Sequence, residues 1–322
     1  MRYIEVGGVR VSVVGLGTWQ FGAREWGYGE DYAQREARAI VERALDLGVN
    51  LLDTAEMYAF GRSERIVGEA VRGRRDEVLL ATKIFPVLPL ASIVERRARA
   101  SLVRLGVEAI DLYQVHWPNP VVPIGTTMEG MRRLLDAGLI RHVGVSNFSL
   151  TGWQAAERAL GGSVLSNQVA YSLAHRGPER ALLPWAQATD HLVIAYSPLA
   201  QGLLSGRYDT GHLPRGVARR TNPLFLDDNL ERARELVETL QEVARAHDAS
   251  PAQVALAWLL RRPNVVVIPG ASSVAQLEAN VAAADLELDD DEDARLTDAS
   301  DRFHPRRGPG TLPGLAGRLV GR

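Results

Sequence analysis

Apolar runs rich in Val, Ile and Leu recur along the chain, and the segments between them place apolar residues at helical spacing. Such strands, alternating with amphipathic helices, are typical of a parallel sheet covered by helices, because a parallel crossover needs about a dozen residues or more. Eight strand-helix units favour an α/β fold of the closed (β/α)8 TIM-barrel type. The predicted strands span residues 13–19, 50–55, 78–83, 110–117, 141–147, 164–171, 192–198 and 265–270.

Two of the intervening segments show one continuous apolar face and therefore predict amphipathic helices. The first face consists of Ile40, Val41, Ala44 and Leu45, and the second of Leu230, Ala233, Leu236, Leu240 and Val243. Glycine follows several of the helical segments, where a residue in the left-handed conformation closes the last turn. These predicted helix ends are Gly48, Gly73, Gly106, Gly138 and Gly161.

Three regions lie outside the repeating units. The N-terminal sequence YIEVGGVRVSV predicts a β-hairpin that turns at Gly7 and Gly8 and plugs the N-terminal end of the barrel. An insertion of roughly 65 residues between strands seven and eight contains a polar stretch at 205–227 and then two helices. We expect 1–322 to form one domain, with a Gly-, Pro- and Arg-rich tail at 301–322 that either covers the site or is mobile.

A doubly wound nucleotide-binding sheet is the alternative fold. The first predicted strand runs into GLGTWQFG, which lacks the G-x-G-x-x-G pattern and continues into aromatic and polar residues instead of a helix. We therefore prefer the barrel.

Composition excludes several classes of protein. The 322 residues carry a formal net charge of −2 and no cysteine, so disulfides are absent and nothing favours a polyanionic partner. No signal segment or membrane-spanning apolar run is evident, and we expect a cytoplasmic protein with no nucleic-acid or membrane partner. The seven histidines show neither H-x-H nor H-E-x-x-H spacing, so we expect no metal site.

The polar residues at predicted strand ends are the candidates for chemistry, because TIM-barrel active sites form at the C-terminal ends of the strands. Asp53, Lys83 and His116 lie at the ends of strands two, three and four, and Tyr58 follows Asp53 in the next loop. Lys83 is the only lysine among 37 lysine and arginine residues. We predict that these four ionisable groups converge on one rim.

An acid, an amine, an imidazole and a phenol can together move a proton to or from a substrate oxygen. The ammonium of Lys83 is expected to lower the pKa of the Tyr58 phenol by about one to three units, while Asp53 keeps the lysine charged. His116 is expected to donate a hydrogen bond to a carbonyl oxygen or to share its proton with Tyr58. A broad guanidinium does not replace a compact ammonium well in this role.

Structural alternatives exist for each residue alone: a solvated lysine, a packed tyrosine, a structurally bonded histidine and an aspartate that caps a turn. A barrel glycosidase using Asp53 and Glu56 is a further alternative. Its two carboxylates would have to flank a sugar bond, typically from separate strand ends. Strands four and seven instead end in His116 and in Tyr196 with Ser197.

The motifs LLDTAEMY, ATK, YQVHW, GVSNF, AYSPLAQG and IPGASS, in this order, resemble those of the aldo-keto reductases over roughly residues 1–300. The resemblance implies a catalytic tetrad of Asp53, Tyr58, Lys83 and His116, with the tyrosine as proton donor. It also implies a nicotinamide cofactor that lies extended across the barrel mouth without a Rossmann domain.

The resemblance assigns further residues to the cofactor. Ser146, Asn147 and Gln168 would hold the carboxamide, Tyr196 would stack on the nicotinamide, and Thr18 and Trp19 would border the cofactor. The pyrophosphate would lie against Ser197, Pro198, Leu199, Gln201, Gly202, Leu203 and Arg207. The adenosine phosphate would lie against Gly270, Ser272, Gln276 and Asn280, at the start of a helix that suits an anion. The implied substrate pocket is Trp19, Tyr58, Phe85, His116 and Trp117, with further loop aromatics at Trp26 and Tyr28.

The resemblance predicts NADPH-dependent reduction of a small aldehyde or ketone, in a monomer or homo-oligomer. Many relatives have a cation where Gln276 stands and a glutamate where Ala279 stands, which weakens 2′-phosphate recognition. Ser272, Gln276 and Asn280 nevertheless resemble an NADP-using branch that includes potassium-channel β subunits, so we favour NADPH over NADH. The alternative is a cofactor-sensing regulatory subunit with little turnover, although that branch lacks a histidine at position 116.

Overall fold

The computed structural model describes residues 1–22, 35–214, 216–306, 308 and 311. An antiparallel hairpin, β1 (Tyr3–Val6) and β2 (Val9–Ser12), precedes eight parallel strands within this part of the chain. The parallel strands are β3 (Leu16–Gly17), β4 (Leu51–Asp53), β5 (Leu79–Ile84), β6 (Ile110–Val115), β7 (Ile140–Ser146), β8 (Ser166–Ala170), β9 (Leu192–Tyr196) and β10 (Val265–Val267).

The parallel strands follow one another around the sheet in sequence order, and the sheet closes on itself. Val14, just before β3, forms a parallel bridge with Val267 of β10. The N–H of Gly15 donates to the Val267 oxygen at 2.8 Å, and the N–H of Val267 donates to the Val13 oxygen at 2.9 Å. The predicted (β/α)8 barrel is confirmed.

Helices cover the outer face of the barrel. The described helices are α1 (Ala37–Asp46), α2 (Arg62–Ala70), α3 (Ala91–Leu105), α4 (Ile124–Asp136), α5 (Leu150–Leu160), α6 (Leu182–Ala188), α7 (Val217–Arg220), α8 (Asp227–Ala246), α9 (Pro251–Leu260), α10 (Val274–Ala282) and α11 (Asp290–Arg302). The apolar faces predicted for α1 and α8 are buried, and the five predicted glycines all have positive φ. Among the described helices, none has both the length and the apolar character needed to span a bilayer.

The hairpin forms the floor of the barrel, as predicted. Val6 and Val11 pack against Leu51, Leu79 and Leu192, which are the first residues of their strands. Apolar side chains therefore fill the N-terminal half of the barrel interior and leave polar groups to the opposite end. The insertion between β9 and β10 contains the two predicted helices, α8 and α9.

Several strands end earlier than predicted, because the chain changes conformation at the barrel mouth. Ser197 has φ 49° and Asn147 has φ 63°, and a residue in the left-handed region cannot continue a strand. β9 therefore ends at Tyr196 and β7 at Ser146. The apolar pattern continues past these points, so it did not reveal the strand ends.

The helical layer contains a close approach that only glycine permits. A Cβ on Gly68 of α2 would lie 2.6 Å from the carbonyl carbon of Leu105, the last residue of α3. The atoms of Leu105 that the Cβ would meet belong to the backbone of α3, so they cannot move aside without shifting the helix. In α4, by contrast, a Cβ on Gly125 would meet nothing within 4 Å.

Gly68→Ala should destabilise the protein by about 1–3 kcal/mol, because the added methyl forces α2 and α3 apart. Urea unfolding followed by circular dichroism measures the change. Gly125→Ala is the matched control and should leave stability unchanged or slightly raised, since alanine favours helix over glycine. Equal unfolding midpoints for the two variants would contradict this account of the packing.

Candidate active site

Side-chain alternation along the strands places a polar layer at the C-terminal mouth of the barrel. Asp53 pairs in register with Ala81, and Lys83 lies two residues further along β5, on the same inward face. Gln114 pairs with Lys83, and Gln168 pairs with Ser146. Alternate residues of a strand point into the barrel. The same alternation that places leucine side chains at the N-terminal end of the interior therefore places these polar groups at its C-terminal end.

Lys83, Asp53 and Tyr58 form one hydrogen-bonded cluster in this layer. The Lys83 Nζ donates to Asp53 Oδ2 at 2.7 Å, to the Thr54 carbonyl oxygen at 2.8 Å and to the Tyr58 hydroxyl at 3.2 Å. These contacts use all three donors of the ammonium, whose side chain is completely buried. The only lysine in the chain is thus fixed beside the phenol.

Tyr58 begins a short 3₁₀ turn, Tyr58–Gly61, which returns the chain from β4 into α2. Ala59 and Phe60 have φ of 47° and 54°, conformations that cost residues other than glycine about 1–3 kcal/mol each. Residues on either side of the turn are joined to each other: the Ser63 hydroxyl contacts that of Thr54 at 2.9 Å. This strained, anchored turn keeps the Tyr58 ring over Lys83, with Nζ 4.9 Å from the ring centroid.

His116 follows β6 directly and completes the group. Its ring stacks on Trp117 at 3.8 Å between centroids and meets the edge of Tyr58 at 5.8 Å. Trp117 in turn meets Phe85 edge to face at 5.8 Å. Among the described residues, nothing bonds the buried His116 Nδ1. We call Phe85, His116 and Trp117 the aromatic wall.

The surroundings set the charge of each group. Burial raises the pKa of the Tyr58 phenol above 10, and the charge of Lys83 lowers it only in part. The expected net decrease is therefore wrong, because desolvation outweighs the ammonium. Burial lowers the pKa of Lys83, but Asp53 and Tyr58 raise it, and it lies above its usual value. Burial, with a contribution from Lys83, lowers the pKa of His116 to about 2.

The second oxygen of Asp53 is also occupied. Gln168 Nε2 donates to Asp53 Oδ1 at 2.7 Å, and Gln114 Nε2 makes a longer contact of 3.4 Å with the same oxygen. Sequence reasoning assigned Gln168 to the cofactor only and missed Gln114. A carboxamide side chain within the predicted strand IDLYQVHW was the signal that could have identified it.

The carboxylates proposed for a glycosidase are both paired internally. Asp53 bonds Lys83, and Glu56 accepts from Arg97 Nε at 2.9 Å and from the backbone N–H of Phe85 at 2.5 Å. Neither carboxylate stands ready to flank a sugar bond. No group of three or more potential metal ligands occurs in the described residues.

The residues expected around the nicotinamide lie next to this group. The Asn147 Nδ2 donates to the His116 carbonyl oxygen at 3.1 Å, and the Tyr196 hydroxyl donates to Asn147 Oδ1 at 2.8 Å. The Ser146 hydroxyl donates to the Gln168 carbonyl oxygen at 2.9 Å. Tyr196 is only half-buried and faces an open cleft.

That cleft has a volume of about 440 Å³ and is lined in part by Tyr196, Ser197 and Gln201. Ser197, Ala200, Gln201 and Gly202 have positive φ, and successive turns of this kind form concavities that bind anions. Pro198 and Leu203 are buried in the same turn, Leu199 is partly buried, and Arg207 is exposed.

Two residues of the insertion hold this turn and were missed from the sequence. The Arg219 Nε donates to the Gln201 carbonyl oxygen at 3.0 Å, and the Asn222 Nδ2 donates to Gln201 Oε1 at 3.0 Å. Their position in a polar, arginine-containing stretch was the available signal.

The predicted adenosine-phosphate residues lie in and just before α10: Gly270 and Ser272 precede the helix, Gln276 is in its first turn and Asn280 is near its C-terminal end. The backbone N–H and the hydroxyl of Ser272 both donate to Gln276 Oε1, at 2.9 and 2.7 Å. Asn280 Nδ2 lies 3.4 Å from the Gly270 carbonyl oxygen. A Cβ on Gly270 would collide with the side chain of Gln20. Gln20 is another residue of this region that was not predicted from the sequence. The cleft, the positive-φ turn and this helix start together fit an extended dinucleotide.

The two residues expected at the N-terminal edge of the cofactor differ from each other. Thr18 is completely buried, and its hydroxyl donates to the Asp53 carbonyl oxygen at 2.9 Å, so it supports β4 from inside. Trp19 is 41% exposed. Trp26 and Tyr28 lie outside the described residues, as does most of the predicted tail at 301–322.

The chain matches the model of the Aldo/keto reductase family over residues 13–301. It is 56% identical over 306 residues to an uncharacterized oxidoreductase of Mycobacterium tuberculosis, covering 95% of this chain and 94% of that protein. It is 37% identical over 295 residues to methylglyoxal reductase YeaE of Escherichia coli, covering 91% and 92%.

Solved structures give the same result. A glycerol dehydrogenase from Gluconobacter oxydans superposes with a TM-score of 0.85 at 30% identity, over 95% of this chain and 98% of its own. An aldo/keto reductase from Klebsiella pneumoniae, in complex with NADP and acetate, superposes with a TM-score of 0.75 at 34% identity, over 95% and 96%. From its sequence, its barrel and these relatives, the chain belongs to the aldo/keto reductase family.

Proposed function

We propose that this protein is an NADPH-dependent reductase that converts aldehydes or ketones to alcohols. The observation that carries the proposal is the cluster of Tyr58, Lys83 and Asp53 beside an open cleft. A protonated phenol next to a fixed ammonium is suited to protonate an oxygen and to stabilise the phenolate left behind. A methylglyoxal reductase among the relatives supports the same substrate class.

The residues that would hold the cofactor follow the cleft. Tyr196 would stack on the nicotinamide, with Ser146, Asn147 and Gln168 near its carboxamide, and the turn from Ser197 to Gly202 would hold the pyrophosphate. Ser272 and the N-terminus of α10 would receive the 2′-phosphate. A reduced nicotinamide bound in this position supplies the hydride. Relatives solved with NADP and NADPH support NADPH as the cofactor.

The proton comes from Tyr58. As the carbonyl oxygen gains negative charge, the phenol O–H donates its proton, and the phenolate that forms lies 3.2 Å from the Lys83 ammonium. Asp53 keeps that ammonium charged and oriented. The raised pKa of Tyr58 means that the proton is in place before the substrate binds.

His116 acts as a neutral hydrogen-bond donor and not as an acid. Burial and the charge of Lys83 lower its pKa to about 2, so the imidazole carries one N–H at neutral pH. It would orient the carbonyl oxygen toward the Tyr58 hydroxyl. The stack on Trp117 and the edge contact with Tyr58 fix the plane of the ring.

Tyr58→Phe should reduce kcat by about 10²–10⁴-fold while leaving NADPH affinity nearly unchanged, because only the proton donor is removed. Oxidation of NADPH with a panel of carbonyl compounds measures turnover, and fluorescence titration measures cofactor binding. Tyr113→Phe is the matched control: the Tyr113 hydroxyl is buried, and among the described residues nothing bonds it.

Wild-type turnover in Tyr58→Phe would show that the assigned acid is wrong. A wild-type protein that binds NADPH but reduces no carbonyl compound in the panel would favour the regulatory-subunit alternative.

NADPH should bind more tightly than NADH, because Ser272 and the N-terminus of α10 would receive the 2′-phosphate that NADH lacks. Fluorescence titrations with both cofactors at one ionic strength test this. Equal dissociation constants would contradict the cofactor assignment and leave the Tyr58 mechanism untouched.

Acid should destabilise the wild-type protein through His116. The folded pKa of about 2 lies below the unfolded value of about 6.5, so the unfolded chain takes up a proton first as the pH falls. Between pH 7 and pH 5, the unfolding free energy of the wild-type protein should fall by about 2 kcal/mol more than that of His116→Gln, which has no imidazole to protonate. Urea unfolding at both values measures the difference, and equal losses would show that His116 is not held neutral.

A further inference from the structure

A partly buried ion pair beside the tetrad fixes the backbone of Phe85 in the aromatic wall. Glu56 Oε1 accepts the N–H of Phe85 at 2.5 Å, and Arg97 Nη1 donates to the Phe85 carbonyl oxygen at 2.8 Å. Arg97 and Glu56 are joined to each other, with Nη2 2.5 Å from Oε1 and Nε 2.9 Å from Oε2. Both backbone polar groups of Phe85 are therefore held by one side-chain pair.

The Glu56–Arg97 pair is largely shielded from solvent, which favours one fixed geometry. The Glu56 side chain is 8% exposed and that of Arg97 is 25% exposed. Charge-assisted hydrogen bonds of this kind are stronger than neutral ones, and a guanidinium can hold a carboxylate and a carbonyl oxygen at once. Removing Arg97 would leave the buried carboxylate without its cation.

The pair connects three segments that carry the candidate site. Glu56 lies two residues before Tyr58, and Phe85 lies two residues after Lys83, while Arg97 comes from α3 on the outside of the barrel. Phe85 contacts Trp117, and Trp117 stacks on His116. A shift of the Phe85 backbone would therefore pass along the aromatic wall.

We propose that Glu56 and Arg97 are positioning residues that determine substrate selectivity by setting the place of Phe85. Phe85 and the 38%-exposed ring of Trp117 present flat apolar surface beside His116 and Tyr58. An aryl group on the carbonyl carbon fits such a surface, because aromatic pairs prefer offset or edge-to-face contact. The inference rests on the proposed reductase function and names aryl aldehydes as its preferred substrate class.

The prediction concerns the difference between two substrates. A small aldehyde such as propanal should contact His116 but not Phe85 or Trp117, whereas the ring of 4-nitrobenzaldehyde should contact both. Arg97→Met should lower kcat/KM for 4-nitrobenzaldehyde by about tenfold or more, mainly through KM, because small misplacements of positioning groups are costly. The value for propanal should change by less than about threefold.

Two further variants test the mechanism. Glu56→Gln keeps the shape of the side chain but removes the charge, and should shift selectivity in the same direction. Arg97→Lys should not restore it, because an ammonium lacks the planar fork that reaches both Glu56 and Phe85. Arg262→Met is the matched control: Arg262 is 22% exposed, pairs with Asp293 and lies just before β10, at the opposite end of the barrel.

Hydrogen exchange gives a readout that does not depend on turnover. In Arg97→Met, the backbone amide of Phe85 should exchange at least about tenfold faster than in wild type, since its acceptor is no longer fixed. In Arg262→Met, exchange at this amide should stay at the wild-type rate.

The outcomes separate the two proposals. A wild-type protein that reduces neither aldehyde overturns the proposed function, whatever the exchange rates show. The positioning inference is overturned if the wild-type protein is active but Arg97→Met lowers kcat/KM equally for both aldehydes, or for neither. An Arg262→Met variant that changes selectivity equally also overturns it.

Discussion

The buried ammonium of Lys83 is the constraint on which the site depends. Taking an isolated charge out of water is costly, and it is tolerated only where acceptors surround it. Here Asp53, the Thr54 carbonyl group and the Tyr58 hydroxyl provide one acceptor for each N–H. Those acceptors belong to the end of β4 and the loop that follows it, so the same requirement that stabilises the lysine also fixes the phenol.

The surrounding polar layer extends this constraint across the barrel. Gln168 occupies the second oxygen of Asp53, so the carboxylate cannot rotate away from Lys83 without losing a hydrogen bond. On the other side, burial keeps Tyr58 protonated and His116 neutral. One fixed positive charge and two uncharged donors therefore lie close together at the barrel mouth.

Much of this arrangement could be predicted from the sequence, because it follows from periodicity. The alternation of apolar runs and helical segments gave the barrel, and the rule that barrel sites form at strand ends selected Asp53, Lys83 and His116. The contacts of Gln114, Arg219 and the pair of Glu56 with Arg97 could not be predicted, because they join residues far apart in the chain. The net rise in the pKa of Tyr58 also depends on burial, which no local pattern records. The positive φ of Ser197 that ends β9 left no mark in the apolar pattern either.

The burial of the only lysine has a practical consequence for handling the protein. Reagents that acylate amines find no lysine side chain on its surface, and the chain contains no cysteine to compete for electrophiles. A lysine introduced in place of a chosen surface arginine would therefore be a unique side-chain attachment point for a dye or a solid support. The same chemistry bears on storage with aldehydes, since these compounds condense with free amines, and the folded chain exposes no lysine to them.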